Sequence, residues 1–436
     1  MKNLRNILFS FKKEGSFANN ISYCTLYFFI NILIQFLFTP IISRVFSAEA
    51  YGMFCLVASL ATYTSLIYTL QMEPLIVMQK DEEKAVNIAR AIFTVSQLFT
   101  IITYTILAVV LVVNYTTGAK TRFSNIYLIL SPILALMLAG YNVYGKVATR
   151  YKLYKNIFKV MWPLVLGTKV VTIGWGKLIS GNFLGLFFGE FLFRLFAVIL
   201  GFRYVIGKSI SKYLAPLSIE RTISILRENA RFISYQVPQN LIALLCTQLP
   251  VYCIAIYYDE YTIGQFAFAN ALFEIPVKLI SYSLSTVFFQ KASEVLNGGG
   301  NLFNYAMQML VGLFFLGLLP FVFLFFYSEF IFVTFFGSQW LLASKIAVVL
   351  MPFFYARFVC EPFQTLFQLL GKQKVQLIGT VIYFVISATF LFFSMEWEME
   401  ILKIFSYLCF INFFYFVSQT AFLFYYVKNH TVVKAS

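Results

Sequence analysis

Glu190 and Arg194, Glu274 and Lys278, and Arg357 and Glu361 stand as oppositely charged pairs inside otherwise apolar runs. A separation of four residues puts both members of a pair on one helix face, close enough to bond. An ionisable side chain at mid-bilayer costs roughly 2.5–3.5 kcal/mol on insertion scales, so each of these residues needs a partner or an aqueous surface. Two readings stay open for every pair: an ion pair that fixes helix rotation, or a polar stripe that lines a substrate cavity. Arg44, Glu73, Asn240, Asn270 and Lys169 are further polar groups in or beside the apolar runs. Arg44 also fits an interfacial anchor, and Lys169 a snorkelling side chain on a short helix.

Other chemistries lack their residues. The single histidine, His430, lies in the C-terminal tail, so no intramembrane histidine base or histidine-held metal is available. Cys24, Cys55, Cys246, Cys253, Cys360 and Cys409 sit inside apolar runs without metal-ligand spacing and read as small apolar residues. No G-x-x-x-x-G-K-[ST] occurs, and Gly298 to Gly300 reads as a loop between helices with no strand before it. No cofactor, metal or enzymatic reaction is expected. Transport by such a chain must draw on an ion gradient, the membrane potential or downhill flow of the substrate.

The elements that position these charges follow from composition. Hydrophobic residues make up 60% of the chain and charged residues 12%, which excludes large soluble domains. Ile21 to Ile42 contains no charge and supplies the roughly 20 residues that a helix needs to cross a bilayer. Lipid offers the backbone no hydrogen-bond partner, so such runs must be helical. About twelve spans are expected, near 21–42, 51–70, 91–113, 126–145, 160–176, 183–206, 237–257, 263–287, 303–326, 341–369, 376–394 and 401–426. The fold class is therefore an all-α membrane protein.

Charge orients it. Of the 33 basic residues, most fall on one side once the N-terminus is put in the cytoplasm, among them Lys12, Lys84, Lys155, Lys212, Arg221 and Lys374. Both termini are then cytoplasmic, and the first span reads as a signal anchor. The net charge of +15 is spread over cytoplasmic loops, where it faces anionic membrane lipid and not nucleic acid. Trp340 and Trp397 fit an interfacial aromatic belt, and Glu396, Glu398 and Glu400 an exposed outer turn.

The longest cytoplasmic connection, 207–236, separates an N-terminal six-helix half, 1–206, from a C-terminal half, 237–436. Pro40 with Gly52-x-Phe54 is echoed by Pro250 with Gly264-x-Phe266. An even helix count per half makes the halves parallel repeats, an architecture that places substrate between two six-helix bundles around a central cavity.

FTPIISRVFSAEAYGMF (Phe38 to Phe54) resembles the opening of the bacterial O-antigen flippases, lipid-linked oligosaccharide exporters related to the multidrug and toxin extruders. Pro40, Arg44, Glu49, Tyr51 and Gly52 carry the match. MEPLIVMQKDEEKA (Met72 to Ala85), with Glu73 and Asp81 to Glu83, is similar to their second motif. FFGSQWLLA (Phe335 to Ala343) and the stretch from Val237 to Pro276 match in the second half. Met72 departs from the pattern, which often has an arginine or another polar residue beside the glutamate. The resemblance implies a flippase in the bacterial inner membrane, moving an undecaprenyl-diphosphate-linked O-antigen unit outward by alternating access. It further implies a coupling ion (proton or sodium) and O-antigen assembly proteins as partners. The substrate-binding residues to expect are Arg44, Glu73, Asn270, Glu274, Lys278, Arg357 and Glu361. Cationic Arg44, Lys278 and Arg357 suit a diphosphate, since guanidinium and ammonium groups bind phosphate oxygens.

The rivals are a lipid II flippase, a multidrug or cation antiporter of the same fold, and an O-antigen polymerase. A cation extruder calls for an acid-rich cavity, whereas the intramembrane residues here are at least as basic as acidic. A polymerase calls for catalytic residues on long outer loops. The longest expected outer loop, Tyr327 to Trp340, holds one acid, Glu329, and no arginine.

Overall fold

The computed structural model describes residues 17–117, 126–207, 209–297, 300–397 and 399–430, with some side chains in these ranges, Lys278 among them, left undescribed. The described residues are 91% helical, and no strand occurs among them. It is an all-α membrane protein. In chain order the helices are α1 (Phe17–Val45), α2 (Ala48–Thr69), α3 (Glu73–Met78), α4 (Glu82–Thr117) and α5 (Ser131–Arg150). They continue as α6 (Tyr154–Leu178), α7 (Phe183–Leu200), α8 (Ile219–Glu228), α9 (Ala230–Tyr257) and α10 (Glu260–Asn297). The last are α11 (Leu302–Ile331), α12 (Leu341–Cys360), α13 (Leu366–Leu369), α14 (Gln373–Glu396) and α15 (Ile401–His430).

Every expected span falls on helical residues, save Leu70 at the end of the second. Among the described residues, 9 helical segments are long and apolar enough to cross a membrane, or 10 if Ala230–Ile242 and Thr247–Tyr257 of α9 form one span. Of α1, only Phe29–Val45 registers, as a shorter apolar helix. Several helices exceed the bilayer. The 36 residues of α4 extend about 54 Å at 1.5 Å per residue, against a hydrocarbon core of about 30 Å. Its charged first turns therefore stand outside the apolar layer.

By contacts the chain divides into two compact units, ending and beginning at Leu244 and Leu245, inside α9. In the first unit Met72, Ile76, Ala89, Ile92, Val147, Phe202 and Tyr213 build a buried core where α3, α4, α5 and the segment after α7 meet. The connection after residue 207 packs onto that core. Arg90 of α4 donates to the carbonyls of Ala215 (3.3 Å) and Pro216 (3.1 Å), and Leu217 N–H donates to Thr94 Oγ1 at 2.8 Å. Lys212 pairs with Glu82 at 2.8 Å and Arg221 with Glu83 at 3.5 Å.

In the second unit Gln265 of α10, wholly buried, joins α10 to the start of α12. Its Nε2 donates to Gln339 O at 2.6 Å and its Oε1 accepts from Ala343 N–H at 2.7 Å, satisfying one of the donors left open at a helix N-terminus. Gly337, at φ +110, makes the turn that brings this segment back, in a backbone region a side chain disfavours. Trp340 departs from its expected interfacial place: it is fully buried, its ring stacked on Phe268 at 4.0 Å. Trp397 is exposed, as a belt residue would be.

Candidate functional site

In the second unit four of the expected site residues converge. Proline ends α12: Pro362, which has no N–H to donate and crowds the carbonyl one turn back, follows Glu361, and the chain passes into a 3-10 turn over Glu361–Thr365. Arg357 lies one turn earlier and donates from Nε to Glu361 Oε2 at 2.9 Å, with Nη2 3.5 Å from Oε1. Its Nη1 also reaches Glu274 Oε1 of α10 at 3.8 Å. Glu274 in turn accepts from Asn270 Nδ2 at 3.0 Å. Pro276 within α10 withholds one backbone N–H just after this pair.

One guanidinium thus serves two carboxylates. Their side chains are 13% (Arg357), 25% (Glu274) and 29% (Glu361) exposed, so none is fully sealed off. These three groups together carry one negative charge, the reverse of a purely cationic lining. Expected pairing within α10 put Glu274 with Lys278; the Lys278 side chain lies outside the described residues. The inter-helix contact between Glu274 and Arg357 was invisible in the sequence, because a spacing of four reports only on neighbours within one helix.

Arg44 and Glu73 belong to the first unit. Arg44 ends α1 with its side chain exposed. Glu73 is 4% exposed, at the start of α3. An unusual turn puts it there. Leu70 and Gln71 both take the left-handed conformation (φ 47 and φ 52), reversing the chain so that Pro74 can begin the short helix. Gln71 Oε1 accepts from Asn240 Nδ2 at 2.7 Å, which ties this turn to α9. Burial pushes the Glu73 carboxyl above its ordinary value, and hydrogen bonds from Thr69 and Asn142 and the charge of Lys146 oppose that shift.

A second intramembrane cluster in the first unit was not among the expected site residues. Arg194 Nη2 bonds Glu190 on the same face of α7, and the guanidinium lies 5.4 Å from the Tyr141 ring centre on α5. Glu190 also acts electrostatically on Lys169 of α6. The sequence signal was present in Glu190, Arg194 and Lys169, but taking α6 as a short helix let Lys169 pass as a snorkelling residue. In the structure α6 spans 25 residues and Lys169 lies in its interior. The nearer end is about 13 Å away at 1.5 Å per residue, beyond the reach of a lysine side chain.

Residues 41–345 match the polysaccharide biosynthesis protein family. No curated protein matches the sequence. Among solved structures, the lipid II flippase MurJ in an inward closed conformation aligns at a TM-score of 0.61 and 15% identity, over 95% of this chain and 91% of that one. An inward-facing multidrug resistance MATE family transporter of the MOP superfamily aligns at a TM-score of 0.57 and 13% identity, over 92% of this chain and 99% of that one. A MOP superfamily transporter from Pyrococcus furiosus aligns at 0.53 and 12% identity, over 94% and 96% of the two chains. At such identities the likeness is one of fold. With the family matched over most of its length and the fold matched nearly end to end, the chain belongs to the polysaccharide biosynthesis protein family and carries the MurJ-like fold of the MOP superfamily exporters.

Proposed function

We propose that this protein is a flippase, not an enzyme, that carries an undecaprenyl-diphosphate-linked O-antigen repeat unit from the inner to the outer leaflet of the bacterial inner membrane. The observation that carries the reading is the intramembrane network of Asn270, Glu274, Arg357 and Glu361 in a chain of this family. Charges are retained inside a membrane bundle at a cost, and a polar cargo that must cross the apolar layer supplies the reason. The diphosphate and sugars travel through the protein while the polyprenyl tail stays in lipid. Alternating access by two parallel halves, 1–206 and 237–436, with both termini cytoplasmic, is the matching mechanism.

The acid surplus among Glu274, Glu361 and Arg357 favours a specific division of labour. Two carboxylates around one guanidinium suit a cation better than a phosphate, so this network is the place for a coupling ion, proton or sodium. The same surplus supports a second reading, cation extrusion by a relative of the multidrug antiporters.

The test is a deletion strain carrying the gene on a plasmid. Loss of surface O-antigen, with lipid-linked units accumulating on the cytoplasmic leaflet and rescue by the plasmid, is the expected result. Normal O-antigen together with heightened sensitivity to cationic drugs would replace the flippase reading with the second one.

A further inference from the structure

α8 (Ile219–Glu228) carries a wider apolar face than the first unit covers. Thr222 and Ile225 are buried, and Leu226 packs against the core of that unit. Ile219 and Ile223, four residues apart and so side by side on the helix, remain 63% and 42% exposed. The helix is nevertheless held in place. Asn229 closes it, donating to Ile225 O from its backbone N–H at 3.2 Å and from Nδ2 at 2.8 Å. Arg221 ties it to Glu83 of α4 at 3.5 Å. The chain before it is anchored by Tyr213, which is buried with its hydroxyl 3.0 Å from that of Tyr151. The fold therefore holds Ile219 and Ile223 outward.

Charge and chain continuity say what covers them. Arg227 stands one turn after Ile223, and Arg231 lies in the first turn of α9. Both are exposed, and among the described residues neither guanidinium makes a hydrogen bond or ion pair. The acids of α8 leave them so: Glu228 accepts from Ser224 at 3.3 Å, and Glu220 makes no ion pair among the described residues. Lys212 and Arg221, by contrast, pair with Glu82 and Glu83. Asn229 alone separates α8 from α9, whose apolar run begins at Val237. Ala230 to Val237 covers about 10 Å at 1.5 Å per residue, so the end of α8 stands beside the headgroup layer. An apolar strip bordered by free cations is the pattern of a helix that lies in that layer. We propose that α8 and the start of α9 form a binding site for anionic phospholipid. Ile219 and Ile223 meet the acyl boundary, and the guanidinium forks of Arg227 and Arg231 hold the headgroup phosphate. A zwitterionic headgroup carries its own cation beside the phosphate, so the site favours an anionic one.

The experiment adds phosphatidylglycerol or phosphatidylcholine to the full-length protein in detergent and counts bound lipid by native mass spectrometry. Wild type should prefer phosphatidylglycerol. R227Q and R231Q should each weaken its binding about fivefold, the equivalent of about 1 kcal/mol per basic residue near an anionic surface. R227K, which keeps the charge, should retain most of it, and K374Q, on the second unit, should bind as wild type. No preference in wild type, or wild-type affinity in R227Q and R231Q, overturns the site. An equal loss in K374Q also overturns it, because the attraction would then be one of net charge alone. A second measurement serves where the arginine variants fail to fold. In phosphatidylglycerol vesicles the added tryptophan of I223W should be quenched by lipid brominated along its acyl chains and not by aqueous acrylamide. The reverse result would put the strip in water, overturn the lipid site and leave this face to a soluble protein.

Discussion

Arg357 of α12 and Glu274 of α10 meet between helices at 3.8 Å, and that contact changes what a substitution at Arg357 should do. With Glu361 at 2.9 Å on its other side, Arg357 is the only described cation between two acids. R357Q takes the cation from beside Glu361 and from the inter-helix contact with Glu274. Breaking a buried pair in this way costs about 3–5 kcal/mol, and partial exposure of both carboxylates puts the expected loss at the lower end. E361Q leaves Arg357 with Glu274 and should cost about 1 kcal/mol or less. The R357E/E361R exchange should not rescue, because it sets a carboxylate directly against Glu274. Thermal unfolding of the detergent-purified variants reads all three; full rescue by the exchange would contradict the shared arrangement.

Glu73 gives a pH prediction. Its carboxyl is held above the ordinary 4.5 by burial, so between 4.5 and its raised value the folded protein binds more protons than the unfolded chain. Stability then falls as pH rises through that window, and the penalty persists above it. E73Q removes the titration while keeping most of the hydrogen-bonding shape. The variant should be more stable than wild type at pH 8, with the difference shrinking toward pH 4.5, the ordinary carboxyl value. Unfolding temperatures measured across that range decide it, and a difference that grows on acidification would reverse the assignment.

The helices were legible because the bilayer leaves an apolar run little choice of structure. The bond between Arg357 and Glu361 was legible because four residues is one turn. What one helix does to the next was not. Glu274 meets Arg357 through the rotation of α10 against α12, and both are apolar nearly all round, so no stripe in the sequence sets that angle. Trp340 was read from its place at a span end as an interfacial residue, yet the Gly337 turn and the two bonds of Gln265 draw it into the unit. Lys169 was read on a short helix, whereas α6 runs over Tyr154–Leu178 and holds it in the interior.

Arg150 carries a structural prediction at the other end of the first unit. Its guanidinium donates to the carbonyls of Ile76 (2.9 Å), Gln79 and Lys80 (3.2 Å), gathering the acceptors left open where α3 ends. R150A should cost about 1.5–3 kcal/mol, the value of hydrogen bonds to a charged group. R150K, with one ammonium in place of a fork, should recover only part of this. Proteolysis between Gln79 and Glu82 should quicken in R150A, and an unchanged cleavage rate there would remove the clamp.

Gly189 tests how closely α6 and α7 pack. A Cβ at this position would lie 1.9 Å from Thr172 Oγ1 and 3.2 Å from its Cβ, a clash that separates α6 from α7. Overpacking of this kind costs about 1–3 kcal/mol. G189A should therefore lower the unfolding temperature. T172A removes the offending oxygen, so G189A/T172A should recover most of the loss. G145A is the matched comparison: nothing lies within 4 Å of the Cβ it would add, and helix propensity favours alanine by about 1 kcal/mol. An unfolding temperature in G189A equal to that of wild type would contradict the close contact between α6 and α7.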